Sequence, residues 1–243
     1  MKQLFYTLSF LSVTFLFTSC GVNILHGEGK KGFDIPSVNE FSKIDISIAS
    51  DVDITVTEGS AHGIEIRGYE NILKHIRTRV KNGTLHIDYD LDDTWTIDDA
   101  ETKLRISVPS LSGLILSGAP DVKIHGDVRG DNFDLDISGA SEVTIEDIHT
   151  NAFSADMSGM ASLKIKQGTV KAADYALSGA GKVAAFGLQT EETSASISGT
   201  GKCEVSVSEK LEASISGAGA IRYKGNPQVD KHVSGIGSIE QAD

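Results

Sequence analysis

A chain of 243 residues, 40% apolar but only 6% aromatic, carries 25 glycines and a formal net charge of −12. The length allows a sizeable core, while scarce aromatics and abundant glycine favour thin stacked layers over a bulky globular centre. The acidic balance argues against nucleic acid, which demands a basic footprint, and against docking on an anionic lipid surface by charge alone; its plain role is solubility.

The N-terminus reads as an address. Met1-Lys2-Gln3 leads into an apolar run from Leu4 to Phe17, followed by Thr18-Ser19-Cys20-Gly21. A charged start, an apolar stretch too short to span a bilayer and small residues before a cut describe a secretory signal over 1–19. Those small residues abut Cys20 and resemble the lipobox of bacterial lipoproteins, although Phe17 is bulkier than the usual Leu at its place. The resemblance implies cleavage before Cys20, lipidation of its thiol and new amine, and a membrane as partner through that anchor. Cys203 then has no disulfide partner, and in an apolar column a thiol behaves as a small hydrophobe. Residues 20–37 read as the lipidated Cys and a tether or partly ordered lead-in, ahead of one domain over 38–243. No acidic cluster follows Cys20 and no Asp directly succeeds it, so the expected address is the periplasmic face of the outer membrane rather than the cell surface.

Strand patterning begins near Phe41. Ile46 to Ile54 matches Ile137 to Ile145 position for position, with Ile48 in place of a Gly, and reads as a degenerate early coil. A strand follows at 64–67 and a single helical turn around 70–75. Asn82-Gly83 between alternating apolar residues predicts a β-hairpin. Residues 90–101 form an acidic stretch around Trp95, and Pro109 marks a strand end. Residues 38–110 are thus irregular, and 111–243 are regular.

The regular part repeats one phrase seven times: LSGAPDVKI from Leu116, ISGASEVTI from Ile137, MSGMASLKI from Met157, LSGAGKVAA from Leu177, ISGTGKCEV from Ile197, ISGAGAIRY from Ile215 and VSGIGSIEQ from Val233. Self-similarity at 18–21 residues marks a solenoid whose units bury their apolar faces against one another. Apolar columns such as Val122, Val143, Leu163, Val183, Cys203, Ile221 and Ile239 alternate with polar ones, which is the strand period. The glycines at 118, 139, 159, 179, 199, 217 and 235 suit a bend or a close approach between layers. The expected fold is all-β, a parallel β-helix. Steps of 18 also suit a left-handed helix of hexapeptides; the variable step favours the right-handed form.

The lipobox, the ENILKHI…VKNGTLHI block, the VPSL step and the serial [LI]SGAG-x-V-x-[IA] phrases together resemble the putative auto-transporter adhesin, head GIN domain family over roughly 38–224. That resemblance implies a right-handed parallel β-helix exported by bacteria, often of the Bacteroidetes group, and carries over no catalytic residue.

Three places invite chemistry. Asp90, Asp92, Asp93, Asp98, Asp99 and Glu101 read first as a solvated loop and second as a calcium site, without the Gly and terminal Glu of an EF-hand; Trp95 among them is a candidate contact residue. Asp136 and Asp156 share a column of adjacent coils, with Asp134 and Asp174 nearby. They fall short of a hydrolase site because no convergent Arg, Lys or His joins them. The seven histidines show neither HxH nor HExxH spacing, and no nucleophile elbow, P-loop or dinucleotide fingerprint appears. The expectation is a non-enzymatic, cofactor-free, lipid-anchored solenoid that binds glycans or envelope proteins, with Lys123, Thr144 and Lys164 forming one polar face. A carbohydrate-active enzyme, which would show a cleft of carboxylates with raised pKa, is the alternative. A self-associating structural component, left open at Ile236–Ile239, is the third reading.

Overall fold

The computed structural model describes residues 23–92, 94–98 and 101–243. Cys20, the signal segment, Asp93 and Asp99 lie outside the described residues. The first half carries β1 (Asn23–His26), β2 (Lys31–Asp34), β3 (Lys43–Ile46), β4 (Asp51–Val56), β5 (Gly63–Tyr69), α1 (Glu70–Leu73), β6 (Ile76–Lys81), β7 (Thr84–Tyr89), β8 (Trp95–Asp98) and β9 (Lys103–Val108). From there run β10 (Gly113–Gly118), β11 (Asp121–Gly139), β12 (Glu142–Gly159), β13 (Ser162–Gly179), β14 (Lys182–Gly199), β15 (Lys202–Gly217), β16 (Ala220–Lys224), β17 (Gln228–Gly235) and β18 (Ser238–Gln241).

The chain is a β-solenoid, with about six continuous turns after the irregular strands. Each long strand bends between faces, so every coil pairs in parallel with the next. One inward column reads Leu104, Val52, Val122, Val143, Leu163, Val183, Cys203, Ile221, Ile239 in direct register. All nine are buried, and each of the eight aliphatic side chains contributes about 1.5–3 kcal/mol by leaving water. Cys203 is among them: burial pushes its thiol up to about 12, which fits the inert core residue expected from its column.

The order of layers departs from the order of the chain. Residues 43–56, the expected early coil, stack on 113–126 with a constant offset, Ile46 opposite Leu116 and Val52 opposite Val122. On their other side lie β7 and β9. After Val56 the chain leaves to build one end of the stack, then returns at Gly113 onto the coil it left. That end is closed by antiparallel strands: β6 covers the outer edge of β7, β5 that of β9, and β2 pairs with β5. The β6–β7 turn is the expected hairpin, with Asn82 and Gly83 both at positive φ (52° and 74°). The lead-in differs from a free tether. β1 pairs with β8, and Asn71 ties it down by donating to the His26 carbonyl and accepting from the Glu28 amide.

The repeated glycine has a steric cause. At Gly159 φ is +93°, and a Cβ there would lie 2.4 Å from the Gly139 carbonyl oxygen of the preceding coil. At Gly179 φ is +120° and the distance to the Gly159 oxygen is 2.5 Å. Only glycine combines that backbone with that approach. The freed space lets the amides of Met160 and Ala180 donate to the same two carbonyls at 2.9 Å, which ties each corner to the one below.

Candidate binding groove

The face formed by the strand segments ahead of each Ser-Gly carries outward columns that the stacking aligns. One reads Gly113, Asp134, Ser154, Asp174, Ser194, Glu212; its neighbour reads Ile115, Asp136, Asp156, Ala176, Ser196, Ser214. A third is serine throughout, from Ser117 to Ser234. Side chains as small as Ala152, Ala172 and Ala176 beside larger neighbours leave depressions. One of about 370 Å³ runs across coils from Asn132 to Glu212, and a second of about 220 Å³ adjoins it between Asp136 and Ser198. Phe153 lines the first; it belongs to a buried stack with Phe133 and Tyr175, centroids 6.0 and 5.7 Å apart.

Charge in the groove is mainly acidic. Burial, and then the charge of Asp156, push the Asp174 carboxyl above its usual range, while a hydrogen bond with Ser194 pulls the other way. The cations at the rim are engaged: Lys43 donates to Asp134 at 3.1 Å and Lys210 to Glu212 at 2.5 Å. The sequence placed Asp136 and Asp156 in one column, and the register does so too, with the column continuing as Ala176 and Ser196. The groove between the columns was not legible, because it is made by small residues rather than by a motif.

The next face holds the expected ladder of Lys123, Thr144 and Lys164 in register, continuing through Ala184, Glu204 and Arg222. Lys202, ahead of Arg222, holds the Glu204 carboxyl below its usual range. On this face Glu204 is paired with both Lys202, at 2.8 Å, and Arg222, at 3.4 Å.

In the acidic stretch each described carboxylate is engaged separately. Asp90 takes Arg77 at 2.8 Å, Asp98 lies 3.1 Å from His26, and Glu101 pairs with Lys31. Asp92 accepts from the hydroxyl and amide of Thr94, which hold its carboxyl below the usual range. Facing separate partners, these groups do not converge as ligands of one cation. Trp95 stands in β8 at 41% exposure. A group that sequence reasoning missed is Asp127, Asp147 and His149, whose ligand atoms lie within 4.8 Å of one another. Asp127 pairs with Arg129, and Asp147 accepts from Gln167 at 2.7 Å. Its signal was Asp-x-Arg and Asp-x-His one 20-residue step apart, invisible to a search within one coil.

The profile of a family described as putative auto-transporter adhesin, head GIN domain, matches residues 40–227. Comparison with curated proteins finds no match. A crystal structure of a putative adhesin from Bacteroides fragilis is similar over 90% of this chain and 100% of that one, at 26% identity and TM-score 0.83. A protein from Parabacteroides distasonis described as a putative lipid binding protein aligns over 91% and 100%, at 20% identity and TM-score 0.75. A putative adhesin from the same organism aligns over 90% and 100%, at 22% identity and TM-score 0.70.

Proposed function

The chain belongs to the putative auto-transporter adhesin, head GIN domain family, and from that premise we propose that it is a non-enzymatic binding module of the cell envelope, lipid-anchored through Cys20, which holds an extended glycan along the groove of its first face. The observation that carries this reading is the groove itself, which crosses successive coils from Asn132 to Glu212. A linear polyhydroxyl ligand finds there a hydroxyl or carboxylate acceptor at every ~4.8 Å step. A carboxylate that accepts from two sugar hydroxyls binds through charge-assisted hydrogen bonds, which are roughly twice as strong as neutral ones. Among the described residues no helix is long and apolar enough to cross a membrane, so the proposed route to the envelope is the lipid, with the periplasmic face of the outer membrane as the address.

A glycan array probed with the mature chain, with and without calcium, tests the reading. Saturable binding to one glycan class, weakened by Asp156→Asn, supports the groove. Calcium dependence would redirect attention to residues 90–101. Silence in both conditions overturns the glycan and makes an envelope protein the ligand, to be sought by pull-down.

One observation favours the enzymatic alternative. Asp174, whose carboxyl is pushed above its usual range first by burial and then by Asp156, lies diagonally from Asp156 on the adjacent strand, so two carboxyl groups stand side by side. Release of reducing ends from an array-positive glycan, abolished by Asp174→Asn, would establish hydrolysis in place of simple binding.

A further inference from the structure

The closed end of the solenoid carries exposed apolar side chains that the groove does not use. Among the described residues the exposed large hydrophobics are Ile24, Phe33, Ile35 and Trp95, in or beside β1, β2 and β8, and Ile115, Met160, Val233 and Ile236, spread along the regular coils. The first four belong to β1, to β2 and the residue beyond it, and to β8, the partner of β1. Phe33 and Ile35 are 67% and 65% exposed, Ile24 54% and Trp95 41%.

These strands are pinned where the chain emerges from Cys20. The Asn23 amide donates to the Thr94 carbonyl at 2.8 Å, and the Glu70 amide to the Lys30 carbonyl at 2.9 Å. Asn23 lies three residue steps from Cys20, a reach of about 10 Å when fully extended. A lipid on Cys20 therefore leaves no slack to lift this end from the bilayer.

We infer that the closed end is a membrane-facing surface, on which Phe33, Ile35 and Trp95 enter the bilayer interface beside the lipid; Ile24 stands opposite Thr96, on the other face of the β1–β8 pair from Trp95, and takes no part. The inference rests on the proposed lipidation of Cys20. Aromatic and aliphatic side chains suit that interface, where one end is apolar and the other wet. Lys30, Lys31 and Lys74 border the cleft that holds Phe33, but Lys30 pairs with Glu70 and Lys31 with Glu101. The local charge is balanced, so the contact is apolar and needs no anionic lipid. Its consequence is orientation: the stack stands away from the bilayer, and the groove that crosses the coils runs outward.

Trp95 is the sole tryptophan, which makes it the reporter. The full chain is produced in a bacterial host, its lipid state read by mass spectrometry, and it is reconstituted in phosphatidylcholine vesicles containing brominated lipid. Trp95 emission is expected to be quenched and shifted to shorter wavelength. A second chain, Trp95→Phe with Ile236→Trp, places the reporter at the opposite end, about 40 Å away at ~4.8 Å per strand, and is expected to stay unquenched. In the Cys20→Ser chain, Phe33→Ser is expected to lower partitioning into the same vesicles about tenfold, equivalent to about 1.4 kcal/mol, while Ile115→Ser changes nothing. A lipidated chain whose Trp95 is unquenched overturns the inference and leaves the anchor intact. A chain without lipid mass overturns the anchor, and the Cys20→Ser partitioning then decides the surface alone. Self-association without vesicle binding, lost in Phe33→Ser, would make a second copy the occupant and also overturn it.

Discussion

The two ends of the stack end a parallel sheet in different ways. At one, the outer edges of β7 and β9 are covered by antiparallel strands, so their backbone donors and acceptors are paired. At the other, β17 and β18 have no strand beyond them among the described residues. There the repeat itself changes. The inward column that reads Ala195 and Ala213 continues as Lys231, and the one holding Tyr223 continues as Gln241. Lys231 donates to the Ile239 carbonyl at 3.0 Å and lies 5.4 Å from the Tyr223 ring centre; Gln241 donates to the Gly225 carbonyl at 2.7 Å. Inward polar groups make the last coil a poor template for another strand, a known way of blunting an exposed edge. One end is closed by covering it, the other by corrupting the pattern that a further coil would have to continue.

The largest effect that would sharpen this contrast comes from the glycine ladder. Gly179→Ala forces a Cβ against the Gly159 oxygen at φ +120°, with intact coils on both sides and no direction in which to relax. It is expected to cost about 3–5 kcal/mol, read from denaturant melts. Gly235→Ala meets the same clash, 2.3 Å from the Gly217 oxygen at φ +133°. But its coil lies at the open end and can lift away, so the loss is capped at the cost of fraying one coil, about 1–2 kcal/mol. Equal losses at the two positions would mean that the last coil is held as firmly as a middle one.

This difference between the ends also marks where the pattern stops being legible in the sequence. The coils were legible because every column keeps one character: apolar at Val122 and its successors, serine from Ser117 onward, glycine at the corner. The hairpin was legible from Asn82-Gly83, and the early coil from its match to Ile137–Ile145. What sequence could not show is that 84–87 pair beside 43–46, since parallel pairing across an excursion leaves no local mark. Strands at Asn23–His26 and Lys31–Asp34 were missed because neither NILH nor KGFD alternates apolar with polar. The groove was missed because it is an absence of bulk at Ala152, Ala172 and Ala176. The Asp127, Asp147 and His149 group was missed because its members are neighbours only after stacking.

The next effect is smaller in stability and larger in behaviour. Lys231→Leu returns the inward column to the apolar type found at Leu135, and stability should change by no more than about 1 kcal/mol. Its edge, however, would then present an apolar last coil with unpaired backbone. Light scattering after size exclusion is expected to show association that grows with concentration, absent from the unaltered chain. If the variant stays monomeric, Lys231 is not what blunts the open end.

The smallest effect checks that the middle of the stack does not contribute to the contrast. Asp174 lies coils away from either end, and its folded-state carboxyl holds a proton more readily than in the unfolded chain, chiefly because it is partly buried. Its ionisation therefore costs stability fully above the folded pKa, and that cost disappears as pH falls through the folded pKa towards the unfolded one. Asp174→Asn should thus stabilise the fold at pH 7 by less than about 0.5 kcal/mol, since solvent screens a group this exposed. The gain should vanish in acid, where the natural residue is itself neutral. A gain that persisted at low pH would assign the effect to the new amide's contacts with Ser194 rather than to charge, and would remove the electrostatic argument for pairing Asp174 with Asp156.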